Sequence, residues 1–371
     1  MRTVRRLLYR DIVWSVAFVT VAFQSLFFFI DFVDEIEQVG RDGYTLWHAV
    51  ARTVLEQPGR FYELFPIAVL IGTIYAMARL AQSSEFTILR TGGLGPGRAL
   101  WLLALPGLAF AVLTFVVGDY VAPWTERQSV LIKAGAAGLS LGRSGAWLKE
   151  RRAAGQADER NISVNVAATG AGGGLKFVRI FEFDREGRLR TRIEAKSAMV
   201  SGDGHWQLTA VRRTDWPTPE AARDGAILGA QALDTLRWPS SLDVGVVAAA
   251  LLPVQTMSTL ELWRYSSHLT DQDQAAQRHE IQFWKKAFYP FACVVMMALA
   301  LPFAYLHARA GGVSFKVFGG IMLGISFVLL NNVSGYLGLL RPWTPWIVAA
   351  APSALYLLLS MVAFGWLVRY R

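Results

Sequence analysis

Six apolar runs, each long enough to cross a bilayer, restrict how this chain can fold more than any other feature. They cover residues 12–32, 62–81, 99–121, 287–307, 314–337 and 345–367. A stretch of about 20 apolar residues spans the hydrocarbon core, where only a helix satisfies its own backbone hydrogen bonds. The hydrophobic content of 53% agrees with this. The sequence therefore predicts a polytopic α-helical membrane protein with six transmembrane helices, arranged as three on each side of a long polar segment.

The first run follows a basic leader and could belong to a signal peptide or to a permanent helix. It exceeds the 7–15 apolar residues of a signal peptide, and it continues into "FFFIDFVDEIE" without a small-residue cleavage site. We therefore expect a retained helix. Lys and Arg are concentrated in the short loops on the N-terminal side of the membrane, which predicts that both chain termini are cytoplasmic.

The segment 122–286 has the composition of a separate domain between the membrane halves 1–121 and 287–371. "SGAWLKE", "RNISVNVAAT", "GLKFVRIFEFD", "LRTRIEAKSAMVS" and "GHWQLTAVRRTDW" show partial period-2 alternation, separated by turn residues. This pattern predicts an all-β domain of the sandwich or jelly-roll type, followed by a helical return linker. In "FVRIFEFD" the apolar positions do not share one face, which indicates a bulge or burial on both faces.

Patterns for catalysis, metal binding and nucleic-acid binding are weak. The net charge of +9 comes from scattered or topogenic residues, so no nucleic-acid partner is expected. The glycines of "VAATGAGGGLKF" lack the phosphate-loop pattern and favour a hairpin loop. "HEIQF" lacks the second histidine of a zinc helix, and the single Cys293 lies in an apolar run. We expect no catalytic residue, metal or cofactor.

Acidic residues follow the first run directly, at Asp31, Asp34, Glu35 and Glu37. They fit either a solvated helix end or a gate that faces lipid headgroups, and we favour the solvated end. In the fifth run, Gly320 and Gly324 form a small-xxx-small pair that permits close helix approach.

The polar stretch "LAQSSEFTILRTGG" predicts a short cytoplasmic helix at about 82–92. Ser83, Ser84 and Glu85 suit its first turn, Phe86 gives it an apolar side, and glycines end it. Such a helix could press Glu85 into a groove on a partner protein. A capped turn without any partner is the alternative.

Taken together, these stretches resemble the LptF/LptG family of lipopolysaccharide export permeases over essentially the full length. The resemblance is carried by "FVDEIEQVG", "FPIAVLIGTIYAMARLAQSSEFTILRTGG", "YVAPWTERQ", "AWLKE", "HEIQFWKKAFYPFACVVMMALALPF" and "GGIMLGISFVLLNNVSGYLG". It implies a permease of the cell inner membrane with a periplasmic jelly-roll-like domain. The implied partners are an LptF-like homologous permease, a dimeric cytoplasmic ABC ATPase of the LptB type, periplasmic jelly-roll proteins of the LptC and LptA types, and lipopolysaccharide.

The resemblance also implies roles for individual residues. Ser84, Glu85, Phe86 and Arg90 match the helix that contacts the ATPase. The candidates for lipid binding or gating are Phe27, Phe28, Asp31, Asp34, Arg52, Arg60, Arg309, Ile321 and Phe327. Relatives carry basic residues after the first helix where this chain is acidic, so Arg52 or Arg60 would have to meet lipid phosphates instead. A membrane Asp of relatives is Asn331 here.

Two other classes of protein remain possible on the sequence. A membrane-tethered periplasmic enzyme would need a convergent acid, base or metal set within 122–286, and the sequence offers none. A mechanotransmission permease or membrane-anchored scaffold that moves no lipid would share the external ATPase and the large domain. Its helices, however, need not line a lipid-sized cavity.

Overall fold

The computed structural model describes residues 2–40, 44–83, 95–137, 146–152, 159–169, 174–201, 204–217, 228–242, 254–271, 276–305, 313–341 and 343–369. Two compact units make up the chain. A helical unit combines Met1–Ile132 with Gln277–Arg371, and a second unit spans Lys133–Ala276. The second unit thus lies between two helical segments of the chain.

Nine α-helices lie in the described residues. In chain order they are α1 (Arg2–Ile36), α2 (Leu46–Gln82), α3 (Pro96–Val116), α4 (Ala122–Ala137), α5 (Thr259–Asp271), α6 (Gln277–Phe288), α7 (Ala292–Tyr305), α8 (Val313–Leu340) and α9 (Pro345–Arg369). A π-helical turn, Val117–Val121, joins α3 to α4, and a 3-10 turn, Tyr289–Phe291, joins α6 to α7. These junctions make the third and fourth membrane helices longer than the apolar runs alone.

Six helical spans in this part of the chain are long and apolar enough to cross a membrane, which confirms the prediction of six transmembrane helices. They are Arg5–Ile36, Leu46–Gln82, Gly97–Val130, Gln277–Phe303, Val313–Leu340 and Pro345–Trp366. Three precede the second unit and three follow it.

Helix α2 is the centre of the helical unit. In the most apolar 18-residue stretch of each helix, 78% of the residues are buried in α2, against 11% in α1 and 22% in α8. Glycines allow this packing, since a Cβ at Gly72 would lie 2.6 Å from the backbone of Val16 in α1. On the α8 side, Gly324 faces Ile67 of α2, where a Cβ would lie 2.5 Å from the isoleucine side chain. The small-residue positions thus fix how closely α1 and α8 approach α2.

The second unit contains one antiparallel sheet of six strands in consecutive order, which confirms the predicted all-β insertion. The strands are β1 (Ala146–Arg152), β2 (Arg160–Thr169), β3 (Leu175–Phe183), β4 (Leu189–Val200), β5 (His205–Asp215) and β6 (Gly229–Pro239). The first five match the five sequence patterns. The sixth, "GAQALDTLRWP", was not predicted, because most of its residues are exposed and its apolar alternation is weak.

A crease runs across the sheet and explains the irregular alternation in "FVRIFEFD". Phe177 in β3 and Ala210 in β5 both have φ of 52°, and neither takes part in the regular strand pairing. On either side of Phe177 the buried positions are Leu175 and Val178, three residues apart instead of two. Each strand therefore changes the phase of its buried face at the crease, so that one face stays apolar along its whole length.

Polar contacts also link the first strand of the sheet to the residues that follow the last strand, although β1 and β6 do not pair. The Glu150 carboxylate of β1 accepts hydrogen bonds from the Ser240 hydroxyl at 2.7 Å and the Ser241 backbone N–H at 2.9 Å, just after β6. Trp206 and Trp238 meet edge to face in the core, with ring centroids 5.6 Å apart. This domain, which contains no cysteine, thus has a packed aromatic core and hydrogen bonds between β1 and the residues after β6.

Candidate functional site

Charged residues at one end of α1 and α2 form an ordered cluster, here called the α1–α2 charge cluster, which consists of Asp31, Glu35, Arg52, Glu56 and Arg60. The acids of α1 are four residues apart, and so are the three residues of α2, which places each set on one helix face. Because α1 and α2 run antiparallel, the two faces meet. The four-residue spacing of these charges is visible in the sequence and indicates that the two helix faces pair.

The first pair of the cluster joins Asp31 to Arg60. The guanidinium donates two hydrogen bonds, from Nη2 to Oδ1 at 2.7 Å and from Nε to Oδ2 at 3.0 Å. The Arg60 side chain remains 37% exposed, whereas Asp31 is only 6% exposed. Arg60 also lies 5.6 Å above the ring of Phe27. The arginine is therefore oriented by a buried acid and still presents part of its charge outward.

The second part of the cluster is more enclosed. Arg52 Nη1 lies 2.6 Å from Glu35 Oε1, and Arg52 Nε donates to Glu56 Oε1 at 2.9 Å. From α4, the Ser129 hydroxyl donates to the same Glu56 oxygen at 3.1 Å. The Arg52 side chain is 18% exposed and Glu35 is 8% exposed. Arg52 therefore ties three helices together, since its partners are Glu35 of α1, Glu56 of α2 and the Ser129 hydroxyl of α4, to which its Nε also donates at 3.3 Å.

Tyr44, between α1 and α2, completes this arrangement. Its hydroxyl donates to Glu35 Oε2 at 2.9 Å, and the residue is 5% exposed. Burial, with a further contribution from the hydrogen bond to Glu35, raises the pKa of Tyr44 to about 12. The tyrosine therefore stays a neutral donor to a buried carboxylate throughout the physiological pH range.

The interpretation of the α1 acids as a solvated helix end is correct for some of them and wrong for others. Asp34 and Glu37 are exposed. Asp31 and Glu35 are buried and ion-paired, because they are four residues apart and both face α2. Burial of such carboxylates is costly unless cations and donors compensate it, and Arg60, Arg52 and Tyr44 provide that compensation.

The apolar candidates lie in different environments. Phe27 and Phe28 are partly exposed on α1, and Phe28 stacks on Phe32 with centroids 6.1 Å apart. Ile321 is partly buried on α8. Phe327 is 1% exposed and packs edge to face on Tyr356 of α9, in a cluster with residues of α2 and α7. Phe327, a candidate for lipid binding or gating, thus has its side chain in the helical core.

The proposed contacts to an ATPase cannot be placed. Ser84, Glu85, Phe86 and Arg90 lie outside the described residues, and so does Arg309. The preceding part of the chain is described as far as Ser83, whose backbone N–H donates to Arg79 O at 3.0 Å at the end of α2.

Lys285 of α6 is a possible site residue that is not among the candidates predicted from the sequence. Its ammonium donates to the backbone carbonyl of Asn331 in α8 at 2.6 Å. In the sequence, the signal for this residue is a lysine pair that directly follows Trp284 at the start of the fourth apolar run. Within the described residues, no group of three or more His, Cys, Asp or Glu is arranged to hold a metal ion.

These features define the class of protein as a multi-pass membrane protein with a charge cluster inside its helical unit and a β-domain inserted between two sets of three helices. A family model described as "Lipopolysaccharide export system permease LptF/LptG" matches residues 6–368. The chain belongs to this family.

Two relatives similar to this chain are both LptG proteins. Over 341 residues, the chain is 27% identical to the lipopolysaccharide export system permease protein LptG of Escherichia coli (strain K12), which covers 91% of each chain. Over 366 residues, it is 27% identical to the LptG protein of Haemophilus influenzae (strain ATCC 51907 / DSM 11121 / KW20 / Rd), covering 97% of each. Six apolar helices and these relatives indicate a multi-pass protein of the inner membrane.

Proposed function

We propose that this permease extracts lipopolysaccharide from the outer leaflet of the inner membrane and passes it to a periplasmic bridge of β-domains. Energy comes from a separate dimeric ABC ATPase of the LptB type. Both termini lie in the cytoplasm and the β-domain in the periplasm, with the chain divided into 1–121, 122–286 and 287–371. The observation that carries the proposal is the wide apolar face that α1 leaves uncovered beside Arg60.

This face supports a cavity shared between two permeases. Along α1 the large exposed apolar side chains include Trp14, Phe18, Val21, Leu26, Phe29 and Val33. Helix α8 exposes a comparable row, whereas α2 is enclosed. A half-permease with a packed centre and uncovered apolar flanks is suited to pair with an LptF-like homologue and to enclose acyl chains between the two.

Arg60 is the residue best suited to meet a lipid phosphate at this face. It is held by Asp31, partly exposed, and adjacent to the Phe27 ring. A phosphate could share its guanidinium in a charge-assisted contact without exposing a buried acid. Arg52 is less suited, because Glu35 and Glu56 already enclose it. We therefore assign phosphate contact to Arg60 and helix bracing to Arg52.

The route of energy into the membrane is assigned to the segment 82–92. Ser84, Glu85, Phe86 and Arg90 contact the ATPase, and Arg309 contributes from a neighbouring cytoplasmic loop. ATP-driven movement of this segment narrows the cavity and expels the lipid toward the β-domain. Strand β1 is at the edge of its sheet and offers backbone groups to which an LptC-like or LptA-like domain could add a strand.

Glu85→Lys tests the coupling. We expect the variant to insert normally and to lose co-isolation of the ATPase in mild detergent, together with lipid export, because a charge reversal removes an acidic contact. Glu37→Lys, an exposed acid at the end of α1, is the matched control and should retain both. Normal ATPase recovery and export in Glu85→Lys would refute the assigned contact.

A photo-crosslinking residue at Phe28 tests lipid passage. We expect it to capture lipopolysaccharide, whereas the same residue at the buried Phe327 should capture none. Absence of capture at Phe28, with a working lipid crosslink elsewhere in the complex, would favour a mechanotransmission permease that moves no lipid.

A further inference from the structure

Within the described residues, the ammonium of Lys285 is held between two membrane helices by a backbone carbonyl. Its Nζ donates to the carbonyl of Asn331 in α8 at 2.6 Å, and the side chain is partly buried. Gly335, one helical turn further along α8, provides the space, since a Cβ there would overlap the Lys285 Nζ. The position is therefore shaped to admit an ammonium group into the α6–α8 interface.

Helix α6 fixes this ammonium through two further contacts on the same face, at intervals of four residues. Gln277 Nε2 donates to Gly338 O at 2.8 Å. Ile281 fits against Gly338, where a Cβ would lie 3.1 Å from the isoleucine Cδ1. Lys285 is the third residue of the row. The ammonium is thus preorganised by packing on α8 and does not depend on a flexible surface side chain.

The charge of Lys285 lacks an acidic partner within the described part of the chain. Its described polar contact is the neutral carbonyl of Asn331. By contrast, Arg52 and Arg60 are paired with carboxylates. A partly buried ammonium with one hydrogen bond to a carbonyl keeps further donors and an uncompensated charge, and in a membrane helix such a charge indicates a ligand.

The depth of Lys285 indicates which anion is available. The span Gln277–Phe303 contains 27 residues. A hydrocarbon core of about 30 Å takes about 20 residues at 1.5 Å each. Counting back from Phe303 places the boundary close to Trp284, which stacks on Phe288 with centroids 5.4 Å apart. On this count Lys285 lies at the edge of the hydrocarbon core, from which its stem can carry the ammonium to lipid phosphates.

We propose that Lys285, held by the Asn331 carbonyl and the space at Gly335, binds the phosphate of a lipid headgroup at the α6–α8 interface. That this lipid is the exported glycolipid rests on the proposed function; the phosphate chemistry does not. The residues that hold Lys285 differ from those that orient Arg60, which pairs with Asp31 of α1.

The test measures lipid affinity of the full chain, co-isolated with its partner subunits, in maltoside micelles, which contain no phosphate. The probes are lipopolysaccharide, the same lipopolysaccharide after chemical dephosphorylation, phosphatidic acid and inorganic phosphate. We expect Lys285→Gln to weaken binding of both phosphorylated lipids about tenfold and to leave the dephosphorylated probe unchanged. Lys285→Arg should restore most of the affinity.

Lys286→Gln is the matched control, because this substitution removes the same charge one residue away. Lys286 differs from Lys285 in that it interacts electrostatically with Glu126. The control substitution should change affinity for the phosphorylated lipids by less than Lys285→Gln does. Equal losses in the two variants, or an equal loss with the dephosphorylated probe, would overturn the proposal.

Other outcomes separate the remaining explanations. If inorganic phosphate alone competes fully with the lipids, the site binds free phosphate and the lipid assignment is wrong. If Lys285→Gln lowers only the unfolding midpoint, or releases the partner permease, the ammonium is a helix clamp or pairs with a protein carboxylate, and the proposal fails. Wild-type binding of phosphatidic acid without lipopolysaccharide would contradict the proposed function and leave the Lys285 site intact.

Discussion

At the scale of residues, the two arginines of the α1–α2 charge cluster differ in what surrounds them. Both are ion-paired, but Arg52 lies between two carboxylates and a hydroxyl, while Arg60 pairs with the buried Asp31 and, at 3.7 Å, with the exposed Glu63, and is itself 37% exposed. A charge enclosed by its partners contributes to stability chiefly because its loss would leave those partners buried and unpaired. A partly exposed charge can be lost at lower cost and remains available to a ligand.

Arg52→Gln should therefore destabilise the helical unit more than Arg60→Gln. We expect the first to lower the free energy of unfolding by about 3 kcal/mol and the second by about 1 kcal/mol. Chemical unfolding of the purified chain in mild detergent measures both. If both variants fold, Arg60→Gln should lower lipid export more than Arg52→Gln does. Equal destabilisation by the two substitutions would contradict the distinction between bracing and phosphate contact.

Tyr44 makes stability depend on alkaline pH. Its pKa is raised from 10.0 to about 12 by burial and by the hydrogen bond to Glu35. The unfolded tyrosine ionises first, so this contribution to stability is complete below pH 10 and is lost as the pH rises toward about 12. Tyr44→Phe should remove that part of the decline. The free energy of unfolding of both proteins is measured across this pH range. If it falls equally in the two proteins, Tyr44 is not the cause of the decline.

At the scale of elements, the crease shows how a sheet can keep one apolar face although its strands break the period of two. The interruption falls at Phe177 in β3 and Ala210 in β5, where the backbone enters the left-handed region that disfavours residues with a Cβ. Local sequence indicated an irregularity in "FVRIFEFD". It did not indicate that the irregularities of several strands would align, because alignment depends on register between strands.

Ala210→Gly should stabilise the β-domain by about 1 kcal/mol, since glycine adopts this conformation without steric cost. Ala232→Gly, in the neighbouring β6, should instead destabilise it by about 0.5–1 kcal/mol, because that alanine pairs regularly with Arg212 and glycine only adds chain entropy. Hydrogen exchange of the β5 amides in the full chain measures both effects. A loss of protection in Ala210→Gly would show that the crease is unstrained.

At the scale of the whole molecule, topology places the β-domain on one side of the membrane and the α2–α3 connection on the other. Three spans precede the domain, so the chain crosses an odd number of times before reaching it. The single Cys293 is 0% exposed, which leaves the native chain without an accessible thiol in its described part. Introduced cysteines can therefore report orientation directly.

A membrane-impermeant maleimide should label Lys196→Cys, on the exposed side of β4, in intact spheroplasts. Gly97→Cys, at the open start of α3, should react only after the membrane is disrupted. Labelling in the reverse order would place the β-domain in the cytoplasm and would contradict the proposed export function.

The sequence by itself determined the number of membrane spans, the 3+3 division and the all-β insertion. Apolar length and strand alternation are local properties, and a bilayer leaves an apolar stretch no alternative to a helix. It also indicated five of the six strands in the described residues and missed β6, whose alternation is weak.

Only the tertiary structure decided which residues face one another. Asp31 and Glu35 become buried partners instead of solvated acids because α1 meets α2 in one register, fixed by Gly72 against the Val16 backbone. Packing between helices likewise places Phe327 in the core and brings the Lys285 ammonium to the Asn331 carbonyl of α8. Periodicity defines a face of a helix, but the neighbour of that face is set by packing between segments far apart in the chain.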